Sequence, residues 1–370
     1  MIPHESVDRL VALVCSRAAA VHGDVHQVVV EQVDRLAPLA SADQRRAAIA
    51  QATARLDGLD ALDEHLRDPR IDEVMVNRGR EVWVDRGDAP QRVADLPEGA
   101  IDIVLERVLG PLGKRLDRTT PIVDARLANG ARICAVVAPV AVDGTTVSIR
   151  RHRSRQIPID RFADPPCVAV LTDIVQRRAN VLVTGATSSG KTTLLAAMAG
   201  LVGPHERMVV IEDTTELVLG QLHVVRLEAR AAGVDGVRSI ETAELVRTAL
   251  RLRPDRLIVG EFRGTEVLAV LQALNTGHDG SLATCHANSA LDGLRRVETL
   301  VMQASPTWPL IAIRRQVSRS IDVVVHLHRL PDGTRRVAEA VEVIESDGEP
   351  SGRPLISSGL AVGTLGRGRR

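Results

Sequence analysis

Residues 185–192 read Gly-Ala-Thr-Ser-Ser-Gly-Lys-Thr, and no other stretch of the 370-residue chain restricts its folding so tightly. A GxxxxGK[ST] loop grips phosphate only when a strand leads into it and a helix leaves it. The curled backbone amides and the positive end of the helix must converge on one spot. Both flanks are present. Residues 180–184 (NVLVT) form a short apolar run expected as a buried parallel strand, and residues 193–202 (TLLAAMAGLV) are expected as a helix ended by Gly203 and Pro204. The cradle is expected to comprise Gly185, Ala186, Thr187, Ser188, Ser189, Gly190, Lys191, Thr192 and Thr193. Lys191 then reaches the β and γ phosphates, and the Thr192 hydroxyl can ligate Mg²⁺. Only two lysines stand against 45 arginines in the chain. Keeping lysine here fits a cradle that takes a compact ammonium and not a forked guanidinium.

The length predicts two domains with room for a helical appendage. Basic and acidic residues balance at 47 each, which argues against a general binder of nucleic acid or membrane surface. Trp83, Trp308, Phe162 and Phe262 are the only aromatic residues, too few for stacking single-stranded nucleic acid. Cys15, Cys134, Cys167 and Cys285 are scattered without a CxxC pair, so neither a zinc knuckle nor a disulfide framework is indicated. A cytoplasmic setting is expected, with no membrane span of the chain's own.

Residues 1–66 carry helical apolar spacing, as in Val7, Leu10, Val11 and Val14, and two or three helices are expected. From Ile71 the texture becomes short alternating runs broken by turns: IDEVMVN, EVWVD, PIVDARL, ARICAVV and TTVSIR, interrupted by a helix at about 98–110. This is an α+β domain over 67–150. Residues 151–166 are basic and Pro-bearing and are expected to be a linker. Across 167–347 strands and helices alternate, the pattern of an α/β domain with a parallel sheet covered on both faces. A hairpin about Pro331-Asp332-Gly333-Thr334 closes it, and the Gly, Ser and Arg-rich residues 348–370 are expected to be disordered.

Three further stretches bear on the chemistry. MVVIEDTTEL (208–217) is an apolar strand delivering Glu212 and Asp213 at its end, with Glu216 close behind. RLIVGE (256–261) is another strand ending in an acid. Gly260 stands where a Mg²⁺-binding aspartate is usual, and Glu261 remains to orient or deprotonate the attacking water. The metal then relies on Thr192, phosphate oxygens and water, with water held by Glu212. GSLATCHANS (280–289) ends a strand at His286, and His278 lies eight residues earlier. Singly, an acid after a strand is often a helix cap and a histidine is often structural. In this order behind a P-loop they form a constellation.

That order resembles the Walker A, Asp box, Walker B and His box of the secretion traffic ATPases (the GspE/PilT superfamily), which power type II and type IV secretion and type IV pili. The resemblance covers about residues 66–330. DTTEL and the absence of a tetracysteine insert make the chain similar to the CpaF/TadA branch that serves tight-adherence (Flp) pili. The resemblance implies a RecA-like P-loop NTPase domain, a smaller PAS-like α+β domain and N-terminal helices. It also implies a Mg²⁺-dependent ATPase working as a homo-hexamer at the inner face of the cytoplasmic membrane, against the platform proteins of a pilus or secretion system. Carried over by motif, Glu261 is the catalytic glutamate, Glu212 and Glu216 are the Asp-box acids, and His286 senses the γ-phosphate or the subunit interface. The smaller domain supplies arginines, for which Arg126 and Arg132 are the foremost candidates and Arg150 the next; Arg247, Arg251 and Arg263 stand among arginines that mostly solvate the surface. The competing reading is a nucleotide-gated scaffold with little turnover, to which the missing aspartate at position 260 lends weight and the retained Glu261 does not. A P-loop kinase would need an acceptor pocket and lid that no segment suggests.

Overall fold

The computed structural model describes residues 4–18, 24–87, 89–127, 129–151, 156–230, 238–330, 332–346 and 348–366. They fall into two compact units, one ending at residue 151 and the other starting at 156.

In the first unit, α1 (His4–Ala18), α2 (Val25–Leu36) and α3 (Ala42–Asp57) form a small bundle. Its core holds Val11 and Val14, Val29 and Val33, Ala48 and Ala52, the three- and four-residue spacing that lines one helix face. Asp24 caps α2, and Ser41 with Gln44 forms a reciprocal capping box on α3. A fourth helix, α4 (Leu62–Arg67), falls within the span expected to be helical appendage. Leu59, Leu62 and Leu66 instead pack into the neighbouring α+β core, so the boundary lies near Gly58 and not at residue 66.

That core belongs to β1 (Glu73–Asn77), β2 (Glu81–Asp85), β3 (Gln91–Asp95), α5 (Ala100–Leu109), β4 (Ile122–Arg126), β5 (Arg132–Val136) and β6 (Thr146–Arg150). The six strands run antiparallel in the order β3-β2-β1-β6-β5-β4. Alternating residues such as Val74, Val76, Ile133 and Ile149 meet Ile101, Val104 and Leu105 of α5. The register sets Arg126 opposite Arg132 and Arg132 opposite Arg150, a row of three arginines across one end of the sheet.

The second unit runs α6 (Pro165–Gln176), β7 (Val181–Gly185), α7 (Lys191–Ala199), β8 (Met208–Glu212), β9 (Val224–Glu228), α8 (Thr242–Ala249), β10 (Arg256–Val259), α9 (Glu266–Leu274) and β11 (Leu282–His286). It continues with α10 (Ala290–Ala304), α11 (Leu310–Ser320), β12 (Val323–Arg329), β13 (Arg335–Ser346), β14 (Glu349–Ser357) and β15 (Leu360–Ala361). The sheet order is β15-β14-β13-β12-β7-β11-β10-β8-β9. From β12 to β9 all neighbours are parallel; β13, β14 and β15 join antiparallel. β7, β8 and β10 are buried at every position, which is why each reads as an unbroken apolar run. Large apolar clusters cover both faces, so this is the α/β domain that the alternation of elements predicts, in keeping with the RecA-like domain that the resemblance implies.

Two expectations fail here. Residues 349–361 are not a disordered tail: they form β14 and β15, with Leu355 and Ile356 buried on the core. Within the expected linker, residues 152–155 lie outside the described set. Ile159, Phe162 and Ala163 are buried in the second unit's core, so 156–166 belongs to that domain. Among the described residues, no helix is long and apolar enough to cross a membrane.

Candidate active site

Parallel pairing brings the strand ends to one edge. Gly185 at the end of β7 lies opposite His286 at the end of β11, and β10 and β8 finish beside them, Val259 opposite Ile211. Ligands in such sheets bind outside these carboxyl ends.

The P-loop between β7 and α7 has a conformation ordinary side chains resist. Ser188 has φ +59° and Gly190 φ +96°. A Cβ on Gly190 would lie 2.6 Å from Cδ of Arg335, so any larger residue would also have to displace that side chain. The Ser189 hydroxyl is buried without a hydrogen-bond partner. Lys191, only 7 % exposed, donates from Nζ to the Ala186 carbonyl and to His286 Nδ1, each at 2.9 Å. Burial lowers its pKa. A curled loop with a buried ammonium and an orphaned hydroxyl fits a polyphosphate.

An ammonium only donates, so the contact with Lys191 leaves Nδ1 of His286 unprotonated and puts the ring proton on Nε2. Nε2 lies 2.8 Å from Oε1 of Glu261. Burial holds the imidazole pKa below its ordinary value, which keeps the ring in this neutral form. Oε2 of Glu261 takes the Arg263 guanidinium at 2.7–2.8 Å, and Arg263 Nη1 is 3.9 Å from Asp213. Lys191, His286, Glu261, Arg263 and Asp213 therefore form one continuous chain of contacts.

Glu212 lies behind it. It is 4 % exposed, and burial raises its carboxyl to about 7, partly offset by the amides of Glu216 and Leu217, which donate to Oε1 at 2.9 and 3.0 Å. Gly260 now has a physical reason. A Cβ there would lie 3.0 Å from Cγ of Glu212, so the missing aspartate leaves room for the Glu212 side chain. Thr192, half-buried on the first turn of α7, brings a hydroxyl oxygen to the same strand-end edge, a donor of the kind Mg²⁺ takes.

Glu216 itself is exposed and meets Glu212 through its backbone amide. His278 is not part of the site: its Nδ1 faces the Ala273 carbonyl at 3.3 Å, before the opposite end of β11 from His286. Arg132 is held by Asp124 through two hydrogen bonds of 2.7 and 3.0 Å in the first unit, where Arg126 faces it across the strands. Three residues that the sequence hid or left in the background join the edge. Arg263 earns its place through Glu261, with the signal Glu-Phe-Arg. Arg335 crosses Gly190 from the hairpin, and His326 of β12 sits 3.0 Å from the Thr184 hydroxyl under the P-loop. No local pattern announces either.

A family model described as Type II/IV secretion system protein matches residues 56–355. A putative conjugal transfer protein of Mycobacterium tuberculosis is 38 % identical over 306 residues, covering 79 % of this chain and 86 % of that protein. The type IV secretion system protein PtlH of Bordetella pertussis is 32 % identical over 334 residues, covering 79 % and 95 %. Among solved structures, the pilus retraction motor PilT with bound ADP aligns with a TM-score of 0.57 at 21 % identity, covering 80 % of this chain and 82 % of that one. The ATPase DotB of Legionella pneumophila aligns at 0.55 and 19 %, covering 76 % and 79 %. At these identities the two structures speak for the fold alone.

Proposed function

Because the chain belongs to the type II/IV secretion system protein family, we propose that it is a Mg²⁺-dependent ATPase working as a hexameric motor. The observation that carries this reading is the chain Lys191, His286, Glu261. An ammonium, a neutral imidazole of defined tautomer and a carboxylate stand in line at the mouth of a P-loop. The γ-phosphate takes the place of His286 as the partner of Lys191. His286, released, follows the phosphate with its Nε2 proton, and Glu261 is freed to accept a proton from the attacking water. Thr192, and Glu212 through water, would hold Mg²⁺, which would supply charge neutralisation on the phosphates. The nucleoside end lies on the opposite flank from Glu261, toward β12 and β13. A cavity of about 380 Å³ supports that direction, with Phe162, Val337 and Leu360 as apolar walls and Asp164 and Arg336 at its rim.

The family resemblance marks Arg126 and Arg132 as the residues that add positive charge to the phosphates during turnover. The machine served is a tight-adherence pilus or a related type IV secretion apparatus at the cytoplasmic membrane. DTTEL and the lack of a tetracysteine insert support the pilus branch, and relatives named for conjugal transfer and type IV secretion support the apparatus more broadly. The test is phosphate release from Mg²⁺-ATP across a protein dilution series, with Lys191→Ala beside the unaltered chain. Specific activity rises with concentration as rings assemble and disappears in the variant. A fully active monomer refutes the ring, and equal activity in Lys191→Ala refutes the site.

A further inference from the structure

Thr184, the last residue before the P-loop glycine, occupies a slot. On one side is α10: a Cβ on Gly293 would lie 2.5 Å from the Thr184 methyl, so only glycine lets helix and strand approach this closely. On the other is β12, where His326 Nδ1 sits 3.0 Å from the Thr184 hydroxyl; that hydroxyl also lies 3.5 Å from the carbonyls of Ser289 and Val325. His326 is 7 % exposed, and burial lowers its pKa, so the ring is neutral and able to donate at one nitrogen and accept at the other. Directly across the hairpin from His326 stands Glu339, whose Oε2 takes the backbone amide of Ala290, the first residue of α10, at 3.2 Å. Four residues before Ala290 is His286. One strand pair thus grips both the strand that enters the P-loop and the helix that leaves the His286 segment.

We propose that His326, with Glu339, is a positioning residue for the phosphate chemistry: by holding Thr184 and the start of α10 on one hairpin, it fixes the P-loop and His286 in a single register. Lys191 and His286 are carried by different loops, from β7 and from β11. Only their mutual position lets one γ-phosphate meet both, and a misplacement of about 1 Å costs up to 10²-fold in rate. Pairing of β7 with β11 sets that position along the strands. Side-chain contacts behind the sheet edge must set it across them.

The proposal rests on the ATPase reading for its turnover arm alone. Four full-length variants are compared with the unaltered chain: Thr184→Val, which removes only the hydroxyl's bond; His326→Leu; the double variant; and His326→Asn, whose side-chain amide stands near the place of Nδ1. Amide exchange is read by mass spectrometry in nucleotide-free protein over 183–194 and 286–294, with kcat, KM and the thermal midpoint alongside. Thr184→Val and His326→Leu are each expected to speed exchange in both segments and to lower kcat about tenfold. KM should change little, the double variant should be no worse than either single, and His326→Asn should recover most of the loss. Unchanged exchange, unchanged kcat, losses that multiply in the double variant, or no recovery in His326→Asn each overturn the proposal. If the unaltered chain hydrolyses no ATP, the ATPase reading fails, and exchange with its rescue by asparagine decides the brace by itself.

Discussion

The two ends of the nine-stranded sheet bury charge in opposite styles. At the amino ends of its parallel strands, Arg256 is 2 % exposed and every contact is saturated. It takes Glu206 through two bonds of 2.8 and 3.0 Å and the carbonyls of Val175 and Gly280, while Arg178 takes the same carboxylate and the Asp255 carbonyl. The Asn180 side chain beside them bonds Ser320, Gly280 and Ser281. At the carboxyl ends, Lys191, His286, Glu261 and Arg263 lean on one another in single file, the Ser189 hydroxyl has no hydrogen-bond partner, and Glu212 is held near neutrality by burial. A network satisfied from within has nothing to offer a ligand. One whose members hold each other only in pairs exchanges partners when a phosphate arrives.

The largest expected effect sits at the saturated end. Arg256→Leu takes two bonds from Glu206, leaving Arg178 as its one arginine partner, removes a buried donor from two carbonyls, and should cost roughly 3–5 kcal/mol of stability, as breaking a buried pair does. Denaturant titration checks it, and the folded fraction should keep its turnover per molecule. A loss of kcat without loss of stability would erase the distinction between the ends.

Next come the arginines of the first unit, whose row across β4, β5 and β6 offers positive charge in quantity. Arg126→Ala or Arg132→Ala should lower kcat by an amount on the order of 2–4 kcal/mol, with nucleotide affinity little changed. Arg17→Ala, on the exposed face of α1, serves as control, and steady-state kinetics that cannot tell the three apart would remove this row from the reaction.

The smallest effect is a pH dependence. The Glu212 carboxyl titrates near 7 in the fold against 4.5 in its ordinary state, so folding favours its protonated form. Stability from this group is whole below about pH 4.5 and is lost as pH rises toward 7 and beyond. Glu212→Gln retains an oxygen for the amides of Glu216 and Leu217. It should match the unaltered protein near pH 4.5 and exceed it by up to about 3 kcal/mol at pH 8. Melting curves at the two pH values check this, and equal stability at both contradicts the burial argument for Gly260.

How much of this was legible in the sequence follows from what each residue's partners are. Residues 181–185, 208–212 and 256–259 read as strands because both faces are buried, and the motifs at their ends came with them. β3 was invisible because all five of its residues are exposed at a sheet edge. β14 hid in a Gly, Ser and Arg-rich stretch, since its order comes from pairing with β13 and from few buried side chains. Phe162 looked like linker because its apolar partners lie on elements distant in sequence. In the site, Lys191, Glu261 and His286 announced themselves by position behind strands. Arg335 and His326 could not: the fold of a hairpin more than 130 residues after the P-loop brings them there, and in a chain with 45 arginines one more carries no signal.

The central claim, that the carboxyl edge is built for turnover and not for stability, meets its most direct test in Glu261→Gln. Phosphate release, equilibrium binding of Mg²⁺-ATP and the thermal midpoint are measured on one preparation. The account predicts release down by about 10²-fold or more with binding and midpoint unchanged. Near-normal release, or a loss that follows the midpoint downward, contradicts it.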